Sequence, residues 1–138
     1  MTGNVYFTVP GEPQGKARPR VVHGHAYTPT KTAAYEGRIC AAYRQAYPGR
    51  KPYAAGEPLR LWIMAWYGIP ASATKARQAA MTAGEIRPTK KPDTDNIGKV
   101  VADALNGIAY HDDAQIVTLE VRKRYGIVPQ VEIELAPE

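Results

Sequence analysis

The chain has 138 residues, enough for one domain with a sizeable core, and carries 18 Lys and Arg against 13 Asp and Glu, a net charge of +5. Its single cysteine, Cys40, excludes an intrachain disulfide and fits a core thiol in a reducing cytosol. The N-terminus lacks a secretory pattern, and the longest apolar stretch, Leu59 to Pro70, is interrupted by Arg60 and too short for a bilayer, so a cytoplasmic protein without a membrane partner is expected. No repeat or shift in composition divides the chain, and residues 1–138 are expected to form one domain. Val5, Phe7 and Val9 alternate with polar or small residues and end at Pro10, which predicts a first strand with one buried face. Residues 10–20 then hold three prolines, two glycines and the basic groups Lys16, Arg18 and Arg20, a cationic loop.

Val21 to Tyr27 reads as a short hairpin turning at Gly24. Thr28 or Thr30 would cap a helix from about Lys31 to Tyr47, stopped by Pro48 and Gly49. Leu59 to Tyr67, rich in β-branched and aromatic residues, predicts a buried strand. Ser72 would cap a shorter helix over Ala73 to Ala83. A third helix is expected from Asn96 to about Asn106, with Asp95 as its N-cap and Ile97, Val100, Val101, Ala104, Leu105 and Ile108 on one face. Alternation in Val117, Leu119, Val121 and in Val131, Ile133, Leu135 predicts two strands joined as an antiparallel hairpin around Gly126. The expected class is α+β: a mixed sheet with that C-terminal hairpin, packed against two to three helices.

The run from Lys91 to Arg124 carries the chemistry. Asp93 and Asp95 precede the third helix, and Asp112 and Asp113 follow it. Were residues 93–95 extended, the first two carboxylates would share one side and form a chelate. Clustered carboxylates repel one another, and a hard divalent cation such as Mg2+ both relieves the repulsion and leaves positions for phosphate oxygens. Each residue alone has an ordinary explanation. An isolated Asp-x-Asp is more often a helix cap beside a solvated acid, and Asp112–Asp113 more often a polar turn. Lys99 has Asp103 four residues on, an exposed pair worth a few tenths of a kcal/mol.

Taken together, the Asp-x-Asp-Asn at Asp93, the lysine four residues beyond Asp95, the Asp-Ala-Leu within the helix and the Asp-Asp-x-Gln at Asp112 resemble the signature of RusA-type Holliday junction resolvases. The resemblance covers roughly Pro92 to Arg124, a quarter of the chain. Lys16-Ala-Arg-Pro-Arg20 and Tyr27-Thr-Pro resemble a branch of that family with a longer basic N-terminal segment. It implies that Asp93, Asp95 and Asp113 are metal-binding catalytic aspartates and Lys99 the catalytic lysine. Asp112 is a further possible ligand or a turn cap, the second acid of the pair being the essential one in the family. It also implies a homodimer that binds four-way DNA junctions and cuts two opposed strands by Mg2+-dependent hydrolysis, with Mn2+ able to substitute, in DNA recombination and repair.

DNA contacts are expected first at Lys16, Arg18 and Arg20, then at Lys90, Lys91, Arg122, Lys123 and Arg124, against the ordinary reading of a solvated basic surface. Two other classes stay open. A metal-dependent transferase using Asp93 and Asp95 would need a nucleotide pocket, and no glycine-rich phosphate loop is present. A catalytically silent module for branched DNA would not need the acids and Lys99 that this chain retains. The path of Asp113 back to Asp95 also stays open: an extended return, a shorter helix, or a site completed by a second subunit.

Overall fold

The computed structural model describes residues 3–17, 20–27 and 29–138. Strand β1 (Val5–Pro10) buries Val5, Phe7 and Val9 and exposes the residues between them, as the alternation predicts. Strands β2 (Arg20–Val22) and β3 (His25–Tyr27) form the small hairpin. Its two central residues, His23 and Gly24, both have positive φ, the geometry a two-residue hairpin turn demands.

Helix α1 (Thr30–Ala46) buries Thr32, Tyr35, Ile39 and Tyr43 at helical spacing. Its N-cap is Pro29, whose carbonyl accepts from Ala33 N–H, so Thr30 is the first helical residue and not the cap; Thr28 lies outside the described residues. Strand β4 (Leu59–Gly68) buries Leu59, Leu61, Ile63, Ala65 and Tyr67. Helix α2 (Lys75–Thr82) begins later than expected: Ala73 N–H closes a turn onto the Pro70 carbonyl, which places Ser72 inside that turn, and Thr74 caps instead by accepting from Arg77 N–H.

Helix α3 (Thr94–Leu105) buries Ile97, Gly98, Val100, Val101, Ala104 and Leu105. Ile97 N–H bonds the Asp93 carbonyl, so Asp93 occupies the N-cap position and Asp95, expected there, falls in the first turn. Cys40 is half-buried between α1 and α3, its thiol 2.9 Å from the Ala104 carbonyl.

Strands β5 (Ile116–Gly126) and β6 (Gln130–Pro137) run antiparallel and are joined by residues 127–129, yet they do not pair with each other. The sheet order is β1-β6-β4-β5, mixed, with β4 parallel to β5 and antiparallel to β6. The apolar, ten-residue β4 takes the centre because it offers a full ladder to both neighbours. Stepping over one strand covers about 9.5 Å, and residues 127–129 with their flanking links reach about 13 Å. A short connection therefore does not force adjacency. The class, the mixed sheet and the antiparallel C-terminal strand pair are as expected; only the direct pairing is corrected.

Helices α1 and α3 pack against each other and cover one face of this sheet, with the core between the layers. The opposite face presents Tyr6, Arg60, Trp62, Glu120, Glu132 and Glu134 around a shallow depression. No helix among the described residues is long and apolar enough to cross a membrane.

Candidate active site

Asp95, Gly98, Lys99 and Ala102 follow one another at helical spacing and form one wall of a cleft of about 300 Å³; Asp113, Ile116, Leu119 and Leu61 form the other. Gly98 permits the close approach, since a Cβ there would stand 3.0 Å from Leu119 Cδ2. The chain returns from α3 through Gly107, at φ +77°, with the Ile108 and Ala109 N–H groups both on the Leu105 carbonyl. Tyr110, fully buried, then donates its hydroxyl to the Ala102 carbonyl at 2.6 Å and folds the return segment against the helix. Asp113 thus does not travel the whole length of α3 to reach Asp95. It meets the helix flank near Lys99 and Ala102 within the same chain.

A short 3-10 turn (Asp113–Gln115) aims Asp113. Asp112 caps it, its carboxylate accepting from Ala114 N–H at 3.0 Å. Gln115 Oε1 accepts from the His111 and Asp112 N–H groups, and its Nε2 donates to the Ala54 and Glu57 carbonyls. The Asp112 carboxylate is therefore engaged in holding the backbone, whereas Asp113 lines the cleft. Burial first, then the neighbouring Asp112 and Asp103 carboxylates, pushes the Asp113 pKa up, opposed by Lys99. Lys99 is 63% exposed, with its ammonium 3.6 Å from Asp103, so the ordinary i, i+4 pair and the cleft position coexist.

Asp93 faces elsewhere. Asp93 at the N-cap keeps extended backbone, but Thr94 and Asp95 are already helical, so residues 93–95 do not form the extended segment that would put both side chains on one side. The shared side expected from an extended Asp-x-Asp is corrected: Asp95 lines the cleft, whereas Asp93 lines a neighbouring groove of about 700 Å³ walled by residues 13–17, Lys31, Thr32, Lys91, Pro92 and Asn96. The loop wall is docked by Lys16 N–H on the Asn96 carbonyl and Ala17 N–H on Thr32 Oγ1. A Cβ on Gly15 would come within 2.9 Å of Pro92 Cβ. Gly15→Ala is therefore expected to lift this loop and to cost about 1–3 kcal/mol, the scale of overpacking, in urea denaturation.

Among the described residues no three His, Cys, Asp or Glu side chains converge closely enough to hold a metal. Asp95 and Asp113 still fit one by donor chemistry, because Mg2+ is commonly held by one or two carboxylates with its other positions given to water and phosphate.

The basic residues divide. Lys90, Lys91 and Lys123 gather where β4 and β5 end, beside Asp93. Lys16 borders the groove but is held by Glu36 at 2.8 Å and Asp103 at 3.2 Å. Arg122 emerges on the opposite sheet face, paired with Glu120, and Arg124 lies against Gly84 at the end of α2. Arg18 is outside the described residues, and only the backbone of Arg20 is described. Sequence reasoning missed Lys31, a cation on the groove wall, and gave Gln115 no task. The Asp-x-x-Gln spacing at Asp112 is a capping-box pattern that could have revealed the second.

An α+β domain with a carboxylate-lined cleft, a lysine in it and a lysine-bordered groove alongside has the make-up of a protein that handles phosphate-bearing polymers with a hard cation. The comparisons narrow this class. The family model for endodeoxyribonuclease RusA matches residues 10–136, and the chain belongs to that family. It is also 35% identical over 135 residues to the uncharacterized protein YqaN of Bacillus subtilis (strain 168), an alignment covering 94% of this chain and 93% of that relative.

Proposed function

We propose that the chain is a Mg2+-dependent endodeoxyribonuclease that binds four-way DNA junctions as a homodimer and resolves them by paired phosphodiester hydrolysis, in cytoplasmic recombination and repair. Asp93, Asp95 and Asp113 are its acidic residues and Lys99 its cation. The observation that carries this reading is that one chain brings Asp95, Lys99 and Asp113 into a single cleft, with Asp93 in the adjoining groove. Membership of the RusA endodeoxyribonuclease family supports it.

Asp95 and Asp113 would hold the cation, with Asp93 contributing from the edge of the groove; when bound, the ion activates water and neutralises charge on the scissile phosphate. Lys99, exposed at the cleft mouth, stabilises the developing negative charge as a protonated ammonium. Lys31 and Lys91 line the path of the strand. Val117 and Leu119, 61% and 50% exposed on the free edge strand β5, place an apolar patch beside the acids that suits a second copy. Two copies supply two cuts.

Gel-shift titration in EDTA, with a four-way junction and a linear duplex of the same sequence, tests the substrate; tighter binding of the junction is expected, and equal affinity contradicts it. Lys91→Gln is expected to flatten the salt dependence of junction binding by about one unit of slope, as are changes at Arg18 and Arg20. Arg122→Gln, on the far face, is expected to leave the slope unchanged. A mixture of Asp95→Asn and Asp113→Asn subunits should regain no cleavage if each site is completed within one chain.

A further inference from the structure

Away from the acidic cleft, the end of α1, residues 49–52 and the turn at Gly107 and Ile108 enclose a groove of about 340 Å³. Tyr43, Arg44 and Tyr47 line it from the helix and Arg50 from the segment that follows, and among the described residues no carboxylate lines it. Neither arginine forms an ion pair among the described residues. Arg50 is held in place: its guanidinium stands 5.8 Å from the centre of the Tyr47 ring and 5.0 Å from that of Tyr53, and Nη2 donates to the Gly3 carbonyl at 3.3 Å. Arg44 is exposed in the last turn of α1.

In the wall of the groove the Tyr43 hydroxyl and Arg50 Nε are buried, each without a hydrogen-bond partner among the described residues. Folded proteins leave few buried polar groups unpaired, and two in one wall call for an explanation. Burial, opposed by the Arg50 charge, pushes the Tyr43 pKa up, so the hydroxyl stays protonated and neutral. Helices α1 and α3 both end here, each contributing roughly half a negative charge. Two full positive charges outweigh them, and the groove favours an anion. A planar guanidinium suits phosphate in particular, and one already stacked between rings loses little freedom on binding it.

The groove borders the segment that returns the chain from α3 to Asp113. From Lys99 to Gly107 is about 12 Å at 1.5 Å per residue, and one DNA strand carries a phosphate about every 3.4 Å of helix axis. We propose that Arg44 and Arg50 bind a backbone phosphate of the DNA arm leaving the cleft, about three to four nucleotides from the scissile bond. The inference rests on the nuclease reading above and adds to it a second DNA contact, at the opposite end of α3 from Lys91 and Asp93.

The test is the salt dependence of junction binding by the full-length protein in EDTA, with phosphate-ethylation interference to map the contacts. Arg44→Gln and Arg50→Gln are each expected to flatten the salt slope by about one unit, and Arg44→Lys, which keeps the charge, to retain it. Ethylation about three to five phosphates from the cut should weaken wild-type binding and have no effect on Arg44→Gln binding. Melting temperatures show whether Arg50→Gln has lost its fold; Arg44, being exposed, decides the matter if it has. Wild-type slope and interference in Arg44→Gln sink this inference and leave the nuclease reading standing, whereas a wild-type protein that does not bind the junction overturns both. Titration with inorganic phosphate separates the sources: phosphate binding lost in Arg44→Gln, with the junction slope unchanged, would make this a site for a free anion and overturn the DNA assignment.

Discussion

Asp113→Asn is expected to abolish strand cleavage while leaving junction binding intact, and Asp93→Asn is expected to do the same. The substitution keeps the shape and removes the charge. Asp113 lines the cleft opposite Asp95 and Lys99, and under the proposed function a neutral amide there would take away a cation ligand without disturbing the turn that carries it. The loss should reach at least about 10²- to 10³-fold in cleavage rate, the scale of removing one preorganised electrostatic contact, and single-turnover kinetics on a labelled junction would measure it. Asp112→Asn is the internal control. Its carboxylate accepts from Ala114 N–H, a task asparagine also performs at a cap, so substantial cleavage should remain. Loss at Asp112 with retention at Asp113 would reverse the assignment.

Gln115→Leu should be the most damaging of the substitutions to stability. One buried amide satisfies two N–H groups of the acidic turn and two carbonyls of the segment before β4. Leucine fills similar volume and leaves all four backbone groups without this partner. Each unmade buried hydrogen bond costs roughly 1–3 kcal/mol, though relaxation and water recover part of it, and a total of about 3 kcal/mol or more is expected in urea denaturation. Cleavage should fall as well, because the same amide holds the turn from which Asp113 projects. Wild-type stability in Gln115→Leu would show that this network does not anchor the site.

Much of the fold was legible because the relevant signals are local. The alternation of Val5, Phe7 and Val9 and the apolar stripe of α3 each encode one face of one element, and both elements are present. The failures are relational. The short link after Gly126 suggested that β5 and β6 pair, but which strand fills the centre depends on the whole sheet, and β4 takes it. The cap positions of all three helices shifted, because Pro29, Thr74 and Asp93 compete with nearby polar residues for a backbone geometry that spacing alone does not settle.

The site shows the same division. Asp95, Lys99 and Asp113 were identifiable as residues, and the structure unites them in one cleft. That Asp93 turns to a different groove goes with a helix start two residues earlier than an Asp95 cap implies. Arg122 and Arg124 look like one cluster with Lys123 in sequence, yet alternation along β5 sends them to the opposite sheet face. Lys16, conspicuous in a cationic loop, is held by Glu36 and Asp103. Sequence displayed the charges and concealed their partners.

The most direct measurement is incubation of the purified protein with a synthetic four-way junction and with a linear duplex, each with and without Mg2+, followed by mapping of the cut positions on labelled strands. Paired nicks at symmetrical positions in two opposed strands of the junction, dependent on Mg2+ and absent from the duplex, are the predicted result. An uncut junction in Mg2+, or equal cutting of the linear duplex, would contradict the account.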